Sequence, residues 1–234
     1  MDVAPHRVHF ETMGREEMRP DGYGAGVGLI VGRVALTPLS PTWALADVLK
    51  RRRDRPGRTR TIVRLNRSYL ALAIASFVGV ALSTRNDLSA LQQDQLRILP
   101  LLWVWFLWSR ATEVFWAFFK DAFDKLETDR QPASDLTPST RVGLSLASYA
   151  EMVLNFSLIY CLVPASWWKD PRPASVTDMG WYSASTITTS GGGGYYPEHW
   201  AIQLLSFYEV ACGLILLVVC FTIYTGLGPR RIVQ

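Results

Sequence analysis

Four long apolar stretches constrain the fold of this chain more than any other feature of its sequence. They cover residues 68–84, 98–119, 142–168 and 201–227. A helix needs about 20 mostly apolar residues to cross the hydrocarbon core of a bilayer, and about 17 to 25 are tolerated. We therefore predict an all-α integral membrane protein with four transmembrane helices per chain.

The charged residues lie mainly outside these stretches, which is typical of a membrane protein with polar flanks. Apolar residues make up 49% of the chain, and nine residues are tryptophan. The net charge of +4 also suits a nucleic-acid-binding protein, but no basic and aromatic reading motif accompanies the charges. We therefore expect the bilayer, and no nucleic acid, as a partner.

Basic residues predict the orientation of the spans, because Lys and Arg are concentrated on the cytoplasmic side of membranes. Many of them precede the first stretch, and Arg230 and Arg231 follow the last. Both termini are therefore expected in the cytoplasm, with the spans in the plasma (inner) membrane. The cluster from Lys50 to Arg60 either anchors the chain or binds anionic lipid head groups, and we favour anchoring.

The chain divides into three regions on this interpretation. Residues 1–61 form a cytoplasmic N-terminal region, in which residues 43–49 are predicted as a short interfacial helix; a mobile tail is the alternative. Residues 62–141 hold two peripheral spans and a cytoplasmic linker. Residues 142–234 hold the other two spans and the segment that joins them.

The joining segment has the pattern of a helix that enters the membrane and turns back. Ser175 and Asp178 have the spacing of a capping box, which predicts a helix start. The helix is expected over about residues 176–188, too short to cross a bilayer. A glycine-rich run follows it. Irregular backbone at membrane depth is tolerated only where protein or a water-filled pore surrounds it.

Glycines in this run suit a site that binds cations through backbone carbonyls. A cation that has lost its hydration shell needs a ring of oxygens. The carbonyl oxygens of consecutive residues all point to one axis if these residues alternate between right-handed and left-handed backbone conformations. Left-handed conformations favour glycine, and Gly191 and Gly193 have the alternating spacing. The carboxyl-terminal end of the short helix adds negative potential there.

The sequence from Trp181 to Gly194 resembles the pore helix and selectivity filter of the potassium channel superfamily. That family's pattern runs aromatic, aromatic, Ser, two variable residues, Thr, apolar, Thr, Thr, Val, Gly, Tyr, Gly, Asp. The positions that fit are Trp181, Tyr182, Ser183, Thr186, Ile187, Thr188, Thr189, Gly191 and Gly193. The resemblance covers about residues 142–227, a two-helix pore module, and leaves out the first two stretches.

This resemblance implies a homotetrameric ion channel, because one chain supplies only one loop. The pore would pass monovalent cations, K⁺ and also Na⁺, and the protein would be neither an enzyme nor the holder of a cofactor. Ser190, Gly192 and Gly194 stand where the family has Val, Tyr and Asp, which weakens the implied potassium selectivity. Gating would depend on lipid, the polar regions or an unidentified regulatory partner.

The resemblance also assigns residues to a filter and to its support. The implied filter residues are Thr188, Thr189, Ser190, Gly191, Gly192, Gly193 and Gly194. The implied supporting residues are Trp181, Tyr182, Ser185, Tyr195, Tyr196 and Glu209.

Charges within the apolar stretches are functional candidates. Glu209 is close enough to the filter to brace it or to attract cations; alternatively, it is a buried carboxylate bonded to hydroxyls such as Ser183 or Ser185. The second group is Arg110 and Glu113, which share a helix face, together with Glu151; we predict a buried ion-pair network of structural role. In the last stretch, Gly213 is a candidate hinge, although glycine inside a helix also serves close packing.

Two other functions remain alternatives. One is a component of a pore-loop potassium transporter, although that class repeats the loop four times along one or two chains. The other is a non-conducting membrane adaptor or sensor with a decayed pore fold. The altered filter favours the adaptor, whereas the retained Thr188 and Thr189 and the spaced glycines favour the channel.

Overall fold

The computed structural model describes residues 40–51, 54–84, 87–89, 98–126 and 136–220. Helices make up most of them, and this part of the chain contains no strand, as predicted. The α-helices are α1 Pro41–Arg51, α2 Arg55–Ser83, α3 Ile98–Leu126, α4 Pro138–Cys161, α5 Val176–Ile187 and α6 Trp200–Leu214. A π-helical turn, Ile215–Cys220, continues α6.

Within the described residues, three helices are long and apolar enough to cross a membrane: Pro56–Ser83, Pro138–Cys161 and Trp200–Leu217. They overlap the first, third and fourth predicted spans. The second predicted span lies in α3, a helix of 29 residues that is interrupted by charges and is not one of the three. Residues 1–39, 52–53, 127–135 and 221–234, on which other predictions fall, lie outside the described residues.

Helix α2 begins well before the apolar stretch that predicted it. Asp54 caps its first turn by accepting the N–H of Gly57 at 3.2 Å, and Pro56 occupies the first turn, where its missing N–H costs nothing. The basic residues that follow are good helix formers. The basic segment and the apolar span therefore form one helix, and the predicted boundary at residue 61 falls inside it.

Helix α4 ends earlier than the apolar stretch predicted. The stretch extends to residue 168, but the helix ends at Cys161, and Ala165–Trp167 form a separate 3₁₀ turn. Pro164 explains the difference, because proline disfavours helical backbone in the residue before it and cannot continue the ladder of hydrogen bonds.

Helix α1 lies against α3. The Ser40 hydroxyl donates to the carbonyl oxygen of Ser109 at 2.9 Å, and the hydroxyls of Thr42 and Ser109 are 2.8 Å apart. Ala46 is buried, whereas Leu45 and Val48 are exposed. The helix is longer than the predicted residues 43–49, and its first turn is anchored on the middle of α3.

The other helices are arranged around α4, which packs against α2, α3 and α5. Helix α5 also packs against α6, and the π-helical turn after α6 contacts α3 and α4. Met152, Phe156 and Tyr160 of α4 are fully buried at the centre. This arrangement holds the short helix α5 between two longer ones.

Candidate functional site

Helix α5 begins at the predicted capping box. The Asp178 backbone N–H donates to the Ser175 hydroxyl at 3.1 Å, and the Asp178 carboxylate accepts the N–H groups of Ser175 (2.9 Å) and Ala174 (3.0 Å). Burial opposes ionisation of Asp178, but donors from Ser175, Tyr195 and the backbone outweigh it and hold its pKa below the usual value. The predicted helix start is confirmed.

Helix α5 is short and enclosed by its neighbours. Its 12 residues extend over about 18 Å, less than the hydrocarbon core of a bilayer. The buried residues are Val176, Met179, Tyr182, Ser183, Ser185, Thr186 and Ile187. Trp181, by contrast, is 63% exposed. One large aromatic ring therefore projects from the open side of the helix.

Glu209 on α6 is fully buried and is bound by hydroxyls from two other helices. The Tyr160 hydroxyl on α4 donates to one oxygen at 2.8 Å, and the Ser183 hydroxyl on α5 donates to the other. Ser185, the other predicted partner, donates to the carbonyl oxygen of Trp181 at 2.6 Å instead. A single carboxyl group thus joins α4, α5 and α6.

An aromatic cluster lies behind α5. The Tyr182 ring stands nearly perpendicular to those of Tyr160 and Trp168, with ring centres 4.9 and 4.8 Å away. The hydroxyl of Tyr182 is 2.7 Å from that of Ser206 on α6. Sequence reasoning assigned support to Tyr182 but missed Tyr160 and Trp168. Only the packing of α4 and the turn after it brings them to α5, and no local pattern marks them.

The loop after α5, residues 188–194, is called the glycine loop below. It contains a run of left-handed residues: φ is 59° at Thr189 and 92°, 57°, 61° and 93° at Gly191 to Gly194. Glycine tolerates such a run because it has no Cβ. The expected alternation between right-handed and left-handed conformations is not observed. Four successive glycines instead let the chain form a tight turn at Gly192–Gly194.

Oxygen atoms are concentrated where α5 ends. The Ser190 N–H donates to the Ser185 carbonyl at 2.8 Å, and the hydroxyls of Thr188 and Ser190 are 2.9 Å apart. Thr188, Thr189 and Ser190 are all exposed. The carboxyl-terminal end of a helix carries the negative end of its dipole. This exposed end therefore offers oxygens in a negative potential, which attracts cations.

Aromatic rings of α5 pack closely on two of the glycines. A Cβ on Gly193 would lie 2.4 Å from Cδ1 of Trp181, and one on Gly192 would lie 3.3 Å from Cε2 of Tyr182. At Gly191, no atom lies within 4 Å of the Cβ position. Glycine is thus needed at positions 192 and 193 for two reasons: aromatic rings of α5 leave little room for a Cβ, and φ is positive.

The two tyrosines after the glycine loop have different surroundings. Burial and the nearby Asp178 carboxylate raise the pKa of Tyr195, which shows that the end of the loop lies close to the start of α5. The Tyr196 ring is 60% exposed, and its carbonyl oxygen accepts the N–H of Lys169 at 3.0 Å. The Tyr195 side chain is therefore near α5, whereas Tyr196 is bonded to the rest of the chain through its backbone.

Gly213 allows α6 to approach the last residue of α5. A Cβ at this position would lie 2.6 Å from Cγ1 of Ile187 and 2.9 Å from its carbonyl oxygen. The irregular backbone begins two residues later, at the π-helical turn Ile215–Cys220. The contacts of Gly213 match the close-packing role that was the alternative to a hinge.

We expect Gly213→Ala to lower the free energy of unfolding by about 1–3 kcal/mol, because the added methyl overpacks the contact with Ile187. Thermal unfolding of the purified protein in detergent micelles measures this. The matched control is Gly143→Ala, where no atom lies within 4 Å of the added Cβ. Since alanine favours helix, the control should be stabilised by about 0.5–1 kcal/mol. Equal melting temperatures for both variants would contradict the packing role.

The structure brings together the three charged residues predicted as a network. Arg110 donates to Glu151 from Nε (2.6 Å) and from one terminal nitrogen (3.0 Å), and its other terminal nitrogen is 3.0 Å from Glu113. All three residues are buried. The Arg110 guanidinium also lies 4.1 Å from the centre of the Tyr69 ring, a cation–π contact that sequence reasoning missed. The network joins α2, α3 and α4.

The oxygens of the glycine loop come from hydroxyls and the backbone rather than from a cluster of metal-ligating side chains. Among the residues that the structure describes, no group of three or more His, Cys, Asp or Glu side chains could hold a metal ion. No protein-family model, no curated protein and no solved structure matches this chain.

Proposed function

We propose that the chain is a subunit of a homotetrameric cation channel and that the glycine loop is its filter. One observation carries the proposal: a short capped helix, held between two longer helices, ends in exposed hydroxyls and left-handed glycines. In a chain with three helices of membrane-spanning character, such a segment can lie at membrane depth only beside protein or water.

Four helices would then cross the membrane, with α3 as the fourth. Its buried charges do not oppose this, because Arg110 is paired with both Glu113 and Glu151 rather than facing lipid. Helices α4 and α6 would be the outer and inner helices of the pore. The basic start of α2 supports a cytoplasmic location of both termini, with the protein in the plasma (inner) membrane.

A fourfold assembly is proposed because one chain supplies one filter loop. Large apolar side chains beside the loop support it: Trp181, Trp200 and Phe207 are 63%, 67% and 74% exposed. Trp200, Leu204 and Phe207 lie on one face of α6 and line an apolar groove of about 520 Å³. Neighbouring subunits would cover this surface, since clustered exposed apolar side chains often mark protein–protein contacts.

Cations are the proposed permeant ions because the loop offers oxygens and the negative end of a helix dipole. Gly192 and Gly194 stand where the potassium channel superfamily has the Tyr and the Asp of its filter. Tyr195, just after the loop, lies near Asp178 at the start of α5. We therefore propose a pore that passes K⁺ and also Na⁺, with no enzymatic activity and no cofactor.

A non-conducting adaptor or sensor is the second candidate. The left-handed turn Gly192–Gly194 favours it, because the carbonyls of such a turn do not all face one axis as an alternating backbone would allow. A pore-loop transporter component has less support, since the chain holds one loop.

Ion flux into liposomes that contain the purified protein tests the proposal. We expect K⁺ and Na⁺ to cross at comparable rates, and cross-linking to give a tetramer. Empty liposomes are the control for leakage. Flux of K⁺ alone would show that the altered filter remains selective, and no flux of either ion would favour the adaptor. An assembly that is not fourfold would contradict the pore geometry.

A further inference from the structure

One exposed face of α2 changes from basic to apolar along the helix. Its members recur every three or four residues, or at two-turn spacing, and so lie on one side of the helix. All of these side chains are exposed on the surface of the protein. We call this face the α2 stripe; it consists of Arg60, Arg64, Arg67, Ile74, Val78 and Leu82.

The three arginines of the α2 stripe have no acidic partner among the described residues. Helix α2 contains no Asp or Glu, and Asp54, just before it, caps the helix by accepting the N–H of Gly57. The buried arginines behave differently, because Arg110 and Arg141 each bind a carboxylate. Within the part of the chain that the structure describes, nothing therefore neutralises the positive charge of the stripe.

The dimensions of the α2 stripe match those of a phospholipid in one leaflet. At 1.5 Å per residue, the rise from Arg60 to Arg67 is about 10 Å, and that from Arg67 to Val78 is about 16 Å. A head-group layer is about 5–8 Å thick, and half of the hydrocarbon core is about 15 Å thick. The basic part thus reaches across the head groups, and the apolar part extends along one acyl chain.

We propose that the α2 stripe binds an anionic phospholipid, with the head group on the three guanidinium groups and an acyl chain against Ile74 and Val78. Guanidinium groups donate paired hydrogen bonds to phosphate oxygens in a planar geometry. A lipid suits the stripe better than a soluble polyanion does, because the apolar half of the same face also has to be covered. The site does not depend on whether the protein conducts ions.

Spin-labelled lipids test this in vesicles that contain the full-length protein. Electron paramagnetic resonance measures how strongly phosphatidylglycerol is immobilised by the protein relative to phosphatidylcholine. We expect the wild type to prefer phosphatidylglycerol, and the triple variant R60Q/R64Q/R67Q to lose at least fivefold in that preference, since one basic residue near an anionic surface contributes about a fivefold factor. Raising NaCl from about 0.1 to about 1 M should weaken the wild-type preference, because screening strengthens.

Two controls separate the site from general charge effects. R60K/R64K/R67K keeps the charge and should keep most of the preference. Arg172→Gln removes an exposed arginine that is paired with Asp170 and should change nothing. If the triple glutamine variant does not fold, Arg64→Gln alone should show a severalfold loss. The proposal is overturned if the wild type has no preference, if the glutamine variants retain it, or if the stripe binds heparin in detergent but selects no lipid.

Discussion

Replacing Gly193 with alanine is expected to abolish cation flux while the protein still inserts and folds. The new Cβ would lie 2.4 Å from Cδ1 of Trp181, so either the ring or the loop backbone has to move. A φ of 61° adds strain of about 1–2 kcal/mol for a residue with a Cβ. An ion site needs its oxygens held within about 0.5 Å. Liposome flux should therefore fall to the level of empty liposomes.

Two further alanine variants separate steric collision from other effects of the added methyl. At Gly191, φ is 92° but no atom lies within 4 Å of the added Cβ, so this variant tests backbone strain alone and should also lose flux. Gly79 lies on the exposed surface of α2 with open space around it, and its replacement should leave flux unchanged. Wild-type flux in Gly193→Ala would show that the glycine loop does not line the ion path.

The largest loss of stability is expected when Arg110 is replaced by methionine. The change leaves the carboxylates of Glu113 and Glu151 buried without the cation that both contact. Removing one partner of a buried ion pair costs about 3–5 kcal/mol. Thermal unfolding and size-exclusion chromatography in detergent should show a lower melting temperature and a smaller folded fraction.

Neutralising the stranded carboxylates provides the control for Arg110→Met. The triple variant R110M/E113Q/E151Q buries no unpaired charge and should recover much of the lost stability. An exposed ion pair gives the comparison: Arg172 and Asp170 are 50% and 81% exposed, and Arg172→Ala should cost less than about 1 kcal/mol. A melting temperature of Arg110→Met equal to that of the wild type would contradict a structural role of the network.

Local patterns were sufficient to predict the helices and the start of α5. Long apolar runs locate α2, α4 and α6, and the Ser175 and Asp178 capping box places the first residue of α5 correctly. The ends of helices were predicted less well. Hydropathy cannot detect that a basic segment continues a helix, as in α2, and it overlooks a proline such as Pro164 that ends one.

Partners from distant parts of the chain could not be predicted. Tyr160 reaches Glu209 across 49 residues of sequence, and Tyr69 reaches Arg110 across 41; only the packing of the helices brings these residues together. The glycine loop shows a different limit. Glycine permits both an alternating and a uniformly left-handed backbone, so four glycines in a row do not specify which of the two forms.

Tyr208 and Glu209, neighbours on α6, attach the helix on two sides. Tyr208 donates to the Thr112 hydroxyl at 3.1 Å and stacks on Trp108 of α3, with ring centres 4.7 Å apart, whereas Glu209 is bound by α4 and α5. Because these contacts hold α6 from two sides at the same level, the helix cannot rotate or slide at that level. The part of the helix that follows Glu209 can therefore bend only after this level. The π-helical turn Ile215–Cys220 lies there and interrupts the regular α-helical hydrogen bonding.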